Sequence, residues 1–381
     1  MGKISKFEIK LDKPSEVYSE GQTVEGSVEV ELTDTMKMRG IKLEFSGGAS
    51  VHWTETHSTG SGKDRRTETR HYSSSETYFN FEYILFGPAS GSTTLPAGNH
   101  TYPFSYTLPP NLPSSYESDI GHVRYQLKAR IDKPWKFDHK TKKLFTVVSM
   151  LDLNQQPSAP LPVYRESSKY LCCLCCKSGP ISAKCHLNHS GYVPGDTIYI
   201  NAEIINNSSR RICSSSVKLF MNTIYHATSK SKISVNCIAE CSRSDIKPYD
   251  RDNWTNVELI VPAVPPSFLA GCRIIDIRYV LQLEVDPAGP AFELIVPLDI
   301  IIGTIPLHHV VQGLYSQTNQ VTKQAQQEPS SPSSAPPMKL PPPTYSECVF
   351  GKLPVDEEGE ELTRGDKHFA PNYTYYNWSK S

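Results

Sequence analysis

Gly121-His122-Val123-Arg124-Tyr125-Gln126-Leu127-Lys128-Ala129-Arg130-Ile131-Asp132 is the stretch from which the fold can be read. Val123, Tyr125, Leu127, Ala129 and Ile131 alternate with Arg124, Gln126, Lys128, Arg130 and Asp132. Successive side chains of a strand point to opposite faces, so a two-residue period with one charged face describes a half-buried antiparallel strand. The same period recurs upstream. Phe7, Ile9 and Leu11 alternate with charged neighbours, as do Val24, Val28, Val30 and Leu32, and then Ile41, Leu43 and Phe45. Gly21, Asp34 and Gly47-Gly48 stand at turn positions between them. Helical periodicity is nearly absent, which predicts an all-β chain of sandwich type.

The second half echoes the first. Tyr18-x-x-Gly21-Gln22-Thr23-Val24 returns as Tyr192-x-x-Gly195-Asp196-Thr197-Ile198. Leu108-Pro109 with Pro113-Ser114 returns as Val261-Pro262 with Pro266-Ser267, and Arg124-Tyr125-x-Leu127 as Arg278-Tyr279-x-Leu281. Landmarks kept in order imply two sandwiches of one plan. The first copy is longer, and the excess is assigned to the polar stretch from His52 to Ser75, expected to be a mobile basic loop. Its Lys63, Arg65, Arg66 and Arg70 are candidates for contact with acidic lipid or a phosphorylated tail. Gly60-Ser61-Gly62-Lys63 is not a phosphate loop, because His57 stands where the first glycine belongs and Asp64 where a magnesium-binding hydroxyl belongs.

The expected division is an N-terminal sandwich over 1–152, a linker over 153–179, a C-terminal sandwich over 180–306 and a disordered tail over 307–381. The tail is rich in Gln, Ser and Pro with an acidic run from Asp356 to Glu361, a composition that buries too little apolar area to offset its ordering entropy.

The chain has 381 residues and a formal net charge of −1, so no global field draws it to nucleic acid. No apolar h-region follows Met1 and no window reaches the roughly 20 apolar residues that span a bilayer. Ten cysteines without an export signal suit the reducing cytosol. His-Glu-x-x-His, Gly-x-Ser-x-Gly and paired helical carboxylates are all missing, so neither an enzyme nor a bound cofactor or metal is expected.

Two motifs carry function. Pro341-Pro342-Pro343-Thr344-Tyr345 pins φ near −65° over three residues and favours polyproline II, the form that WW-type aromatic grooves accept. Pro342, Pro343 and Tyr345 are the expected contacts. Leu161-Pro162-Val163-Tyr164 is a weaker variant in the linker, with Leu161, Pro162 and Tyr164 as candidate contacts. Beside it, Cys172, Cys173, Cys175 and Cys176 allow three readings: packed thiols, palmitoylation, or metal ligation short of a ligand.

Taken together, the tandem sandwiches, Gly121-His122-Val123-Arg124-Tyr125, Lys133-Pro134-Trp135 and Ile302-Gly303-Thr304-Ile305-Pro306 resemble an arrestin, and the Pro-Pro-x-Tyr tail resembles the arrestin domain-containing proteins, or alpha-arrestins. The resemblance covers about residues 5 to 306. It implies a body that selects membrane receptors or transporters by their cytosolic tails, and a tail that recruits WW-domain HECT-type ubiquitin ligases. Ubiquitination, endocytosis and endosomal sorting of the cargo would follow, by a cytoplasmic protein recruited to plasma membrane and endosomes. The alternative is a trafficking scaffold of the retromer-associated arrestin-fold type, independent of a ligase. Leu353-Pro354-Val355-Asp356-Glu357 departs from a clathrin box at two aliphatic positions, so direct clathrin recruitment is not expected.

Overall fold

A computed structural model describes residues 3–60, 66–134, 137–171, 179–313, 343–355 and 363–378. The first sandwich comprises β1 (Ile4–Leu11), β2 (Val17–Tyr18), β3 (Thr23–Leu32), β4 (Met36–Met38), β5 (Gly40–Thr59), β6 (Arg66–Phe86), β7 (Thr93–Leu95), β8 (Gly98–Thr107), β9 (Tyr116–Glu117), β10 (Gly121–Asp132) and β11 (His139–Val147). The second comprises β12 (Val163–Lys169), β13 (Ile181–Leu187), β14 (Gly191–Tyr192), β15 (Thr197–Asn206), β16 (Ile212–His226), β17 (Ser231–Arg243), β18 (Arg251–Ile260), β19 (Ile275–Pro287) and β20 (Leu294–Ile302). Five short strands follow in the tail: β21 (Thr344–Glu347), β22 (Leu353–Pro354), β23 (Arg364–Gly365), β24 (His368–Phe369) and β25 (Asn372–Tyr375).

The internal echo is structural. In the first sandwich β1-β3-β8 faces β2-β11-β10-β5-β6; in the second β13-β15-β18, extended by β12, faces β14-β20-β19-β16-β17. The strand read first, β10, is central, flanked by β5 and β11, and its odd-numbered apolar residues from Val123 to Ile131 are fully buried. Its counterpart β19 buries Ile277, Tyr279, Leu281 and Leu283. Matching tyrosines anchor the corners of both copies: the Tyr125 hydroxyl donates to the Pro113 carbonyl at 2.7 Å and the Tyr279 hydroxyl to that of Pro265 at 2.6 Å. Burying a phenol is costly unless its hydroxyl finds a partner, so each tyrosine also fixes the path of the preceding loop. Gly21 and Gly195 both take positive φ and both donate to the echoed carbonyls, of Leu108 and Val261.

Three expectations need correction. The stretch from His52 to Ser75 is largely strand, because β5 and β6 run on as a hairpin from Ile41↔Phe86 to Thr59↔Arg66, with register shifts after Ile41 and Gly47. These strands have 20 and 21 residues, against 15 and 13 in β16 and β17, so the first copy's excess lengthens a hairpin. Beyond the core both faces of the hairpin meet water, which removes the apolar alternation that marks a half-buried strand. The linker is shorter than expected. Leu153–Gln155 forms a 3-10 turn, and Val163–Lys169 is the edge strand β12, paired with β13. Val163-Tyr164-Arg165-Glu166 shows no apolar face because an edge strand on this sheet buries little of itself.

The tail is the third. Residues 343–355 and 363–378, expected to be disordered, are laid in short strands on the body, and a helical turn at 308–313 follows the second sandwich, burying Val311. Average composition is the wrong measure where a few aromatic residues meet clefts that the body has already formed. The rest of the tail, including Pro341, Pro342 and the acidic run, lies outside the described residues.

Candidate functional site

The sandwiches meet through a small polar knot. The Tyr116 hydroxyl lies 2.7 Å from that of Tyr225, which also donates to Ser118 Oγ at 2.9 Å. Next to it Arg124 pairs with Glu117 through two bonds of 2.9 and 2.8 Å, both side chains buried. The fork of a guanidinium matches the two carboxylate oxygens, which is what makes so dry a pair tolerable. His122 lies beside Arg124, and burial together with that positive charge pushes its pKa down to about 3, so the imidazole is neutral. Farther out, Lys230 joins Glu55 at 2.6 Å and Arg273 joins Glu76 at 2.8 Å, tying the β5–β6 hairpin to the second sandwich.

The tail is laid across this junction. Trp378 Nε1 donates to Asp196 Oδ1 at 2.7 Å, while Asp196 Oδ2 takes the Val193 amide at 2.8 Å. Burial raises the Asp196 pKa to about 6 despite those two donors. Tyr376 stacks on Trp378 with ring centres 5.2 Å apart and donates through its hydroxyl to the Thr304 carbonyl at 2.9 Å. Its backbone passes directly over Gly195, leaving no room for a Cβ there. Tyr373 is wholly buried and its hydroxyl reaches the Ser115 carbonyl at 2.9 Å. The Asn372 amide donates to Thr146 Oγ1 at 3.0 Å. Beyond this, β23 adds to β11 in parallel, Leu144 donates its amide to Asp366, and the buried Lys142 ammonium donates to the Val355 carbonyl at 2.8 Å. One strap thus touches both sandwiches.

The Pro-Pro-x-Tyr motif is part of it. Pro343 is half-buried, and Tyr345 lies on β21, which pairs with β25 in the register Thr344↔Tyr375 to Glu347↔Asn372. Thr344 Oγ1 donates to the Tyr375 carbonyl at 2.8 Å. Immediately after, the Cys348 amide donates to Pro371 and that of Val349 to Ala263. Tyr345 keeps 40% of its surface exposed. Pro342 lies outside the described residues.

The other candidates are scattered. Leu161 and Tyr164 are exposed, the Tyr164 hydroxyl donating to Glu166 at 2.7 Å; with Pro162 they border a cavity of about 480 Å³ that also meets Arg278 and Asp299. Arg66 and Arg70 are exposed on β6, with Arg70 paired to Glu68. Lys63, Arg65 and the four cysteines at 172, 173, 175 and 176 lie outside the described residues, as does Trp135. Among the described residues no cluster of three or more His, Cys, Asp or Glu side chains could hold a metal ion, and no helix is long and apolar enough to cross a membrane.

Sequence reasoning missed Tyr373, Tyr376, Trp378, Asp196 and Lys142. A signal existed for the first three: Tyr373, Tyr375, Tyr376 and Trp378 form an aromatic run of strand-forming residues inside an otherwise polar tail. Asp196 and Lys142 carried no such mark, since each looks like an ordinary surface charge.

Two sandwiches of one plan, joined by a polar knot and crossed by the C-terminal segment, define a tandem β-sandwich protein. Residues 7–154 match the family model of the arrestin (or S-antigen) N-terminal domain and residues 177–307 that of the C-terminal domain. The chain belongs to the arrestin family, among the arrestin domain-containing proteins. It is 30% identical to arrestin domain-containing protein 17 of Caenorhabditis elegans, over 99% of this chain and 100% of that one. Arrestin domain-containing protein 1 of Homo sapiens is 30% identical over 97% of this chain and 76% of its own length. Arrestin domain-containing protein 4 of Homo sapiens is likewise 30% identical, over 89% and 79%.

Proposed function

We propose that this protein is a non-catalytic adaptor. Its arrestin-type body binds the cytosolic part of a membrane receptor or transporter, and Pro342, Pro343 and Tyr345 bring a WW-domain HECT-type ubiquitin ligase alongside. Co-binding raises the local concentration of acceptor lysines at the ligase, so no chemistry is required of the adaptor itself. Ubiquitination then commits the cargo to endocytosis and endosomal sorting, and the protein works from the cytoplasm at the plasma membrane and endosomes. The observation that carries this reading is a Pro-Pro-x-Tyr motif on the segment that crosses the junction of two arrestin sandwiches. Tyr164, half-exposed on an edge strand, is a second contact of lower affinity.

The test is a titration of a purified WW module against a synthetic peptide spanning residues 338–350 and against its Pro343→Ala/Tyr345→Ala counterpart. Binding of the first and not the second is expected. A WW module that ignores both peptides would remove the ligase from the proposal.

A further inference from the structure

Thr344 and Tyr345 of the motif are held in a form that a WW groove does not accept. A WW groove takes its ligand as a polyproline II helix, with three residues per turn and no ladder bonds to a neighbouring strand. Here Thr344–Glu347 is strand β21, paired residue for residue with Asn372–Tyr375. Tyr345 keeps 40% of its surface exposed and Pro343 is half-buried, so the constraint on the motif lies in the backbone ladder.

The partner strand is itself anchored. β25 places Tyr373 in the core at the sandwich junction, bonded to Ser115, and its ends are tied at Asn372 to Thr146 and at Tyr376 to Pro194 and Thr304. Trp378 on Asp196 ties the chain end. On the other side of β21, the amides of Cys348 and Val349 are bonded to Pro371 and Ala263, and Cys348 is buried. Tyr345 cannot turn into a groove while this ladder stands.

We infer that the docked strap masks the ligase-binding motif, and that a WW domain engages this protein only after β21 has separated from β25. This rests on the reading of Pro343 and Tyr345 as WW contacts and adds its regulation: whatever displaces residues 372–378 from the sandwich junction exposes the motif. Apparent affinity then falls in proportion to the fraction of molecules whose strap is open. Both sandwiches hold the strap, so a ligand that alters their junction changes that fraction at a distance from the motif.

The experiment compares one WW module on three partners: the 338–350 peptide, the full chain, and the full chain carrying Tyr373→Ala. The peptide is expected to bind at least about tenfold more tightly than the full chain, with Tyr373→Ala recovering most of the difference. Equal affinity of peptide and wild-type chain overturns the masking and leaves the adaptor reading standing. Failure of the peptide itself overturns both. Tyr373→Ala removes a large buried ring and could unsettle the body, so amide hydrogen exchange on the wild-type chain supplies the second arm. Residues 344–347 and 372–375 should exchange slowly in the free chain, and 372–375 should lose protection when the WW module is bound. Protection of 372–375 that persists in the complex overturns the inference.

Discussion

At the scale of single residues, burial decides which charges matter. Asp196 is the clearest case. Its carboxyl is raised by burial from an ordinary 3.8 to about 6, so the ionised form is the costly one in the docked state. A carboxyl with a raised native pKa binds its proton more readily folded than unfolded, so the cost is present at neutral pH and fades as pH falls through 6. The contribution of Asp196 to unfolding stability should therefore become more favourable between pH 7.5 and 5, by on the order of 1 kcal/mol. Denaturant unfolding against pH reads this out, and Asp196→Asn should flatten the dependence. Arg124 makes the opposite point. Arg124→Met removes the guanidinium that pairs with the buried Glu117 carboxylate, at a cost of about 3–5 kcal/mol in denaturant unfolding, whereas Arg124→Met with Glu117→Leu should recover most of it. By contrast Lys230→Ala, which breaks an exposed pair with Glu55, should change stability by less than about 1 kcal/mol. None of the three environments is visible in sequence: Arg124 and Arg278 occupy echoed positions, yet one is buried and the other exposed to solvent beside Asp276.

At the scale of elements, legibility followed burial of one face. Strands such as β10 and β19 declared themselves because one side meets the core and the other meets water. The outer part of the β5–β6 hairpin did not, because both of its faces are wet, and β12 did not, because an edge strand spares little surface for the core. The short tail strands escaped for another reason: β21 and β25 have no stability alone and exist only on a preformed surface. Within β25 the Tyr373 hydroxyl can be separated from its ring. Tyr373→Phe keeps the packing but leaves the Ser115 carbonyl unpaired, and should lower unfolding stability by about 1 kcal/mol. Gly365→Ala strikes the other end of the strap, since Gly365 takes φ of +94° and a Cβ there would collide with the Lys142 carbonyl. That variant should release β23 from β11 and raise exchange at residues 363–369.

At the scale of the molecule, the two sandwiches and the strap form one cooperative arrangement. The Tyr116–Tyr225 contact and the ion pairs of the β5–β6 hairpin join the domains directly, and residues 343–378 join them again through Tyr373 and Tyr376. A chain ending at residue 313 loses the second connection. It should melt several degrees lower, with the two sandwiches unfolding in separable steps in calorimetry, against a single transition for the full chain. The sequence by itself determined that there are two β-sandwiches of one plan, in the order observed, because alternation and turn residues are local properties that each strand carries along its own length. It also determined that a Pro-Pro-x-Tyr motif exists. Only the tertiary structure decided where that motif rests and what covers it. Residues about 30 positions apart pair with each other there, and together lie on surfaces formed by residues 72 to 258 positions earlier, so no short window of sequence holds the information.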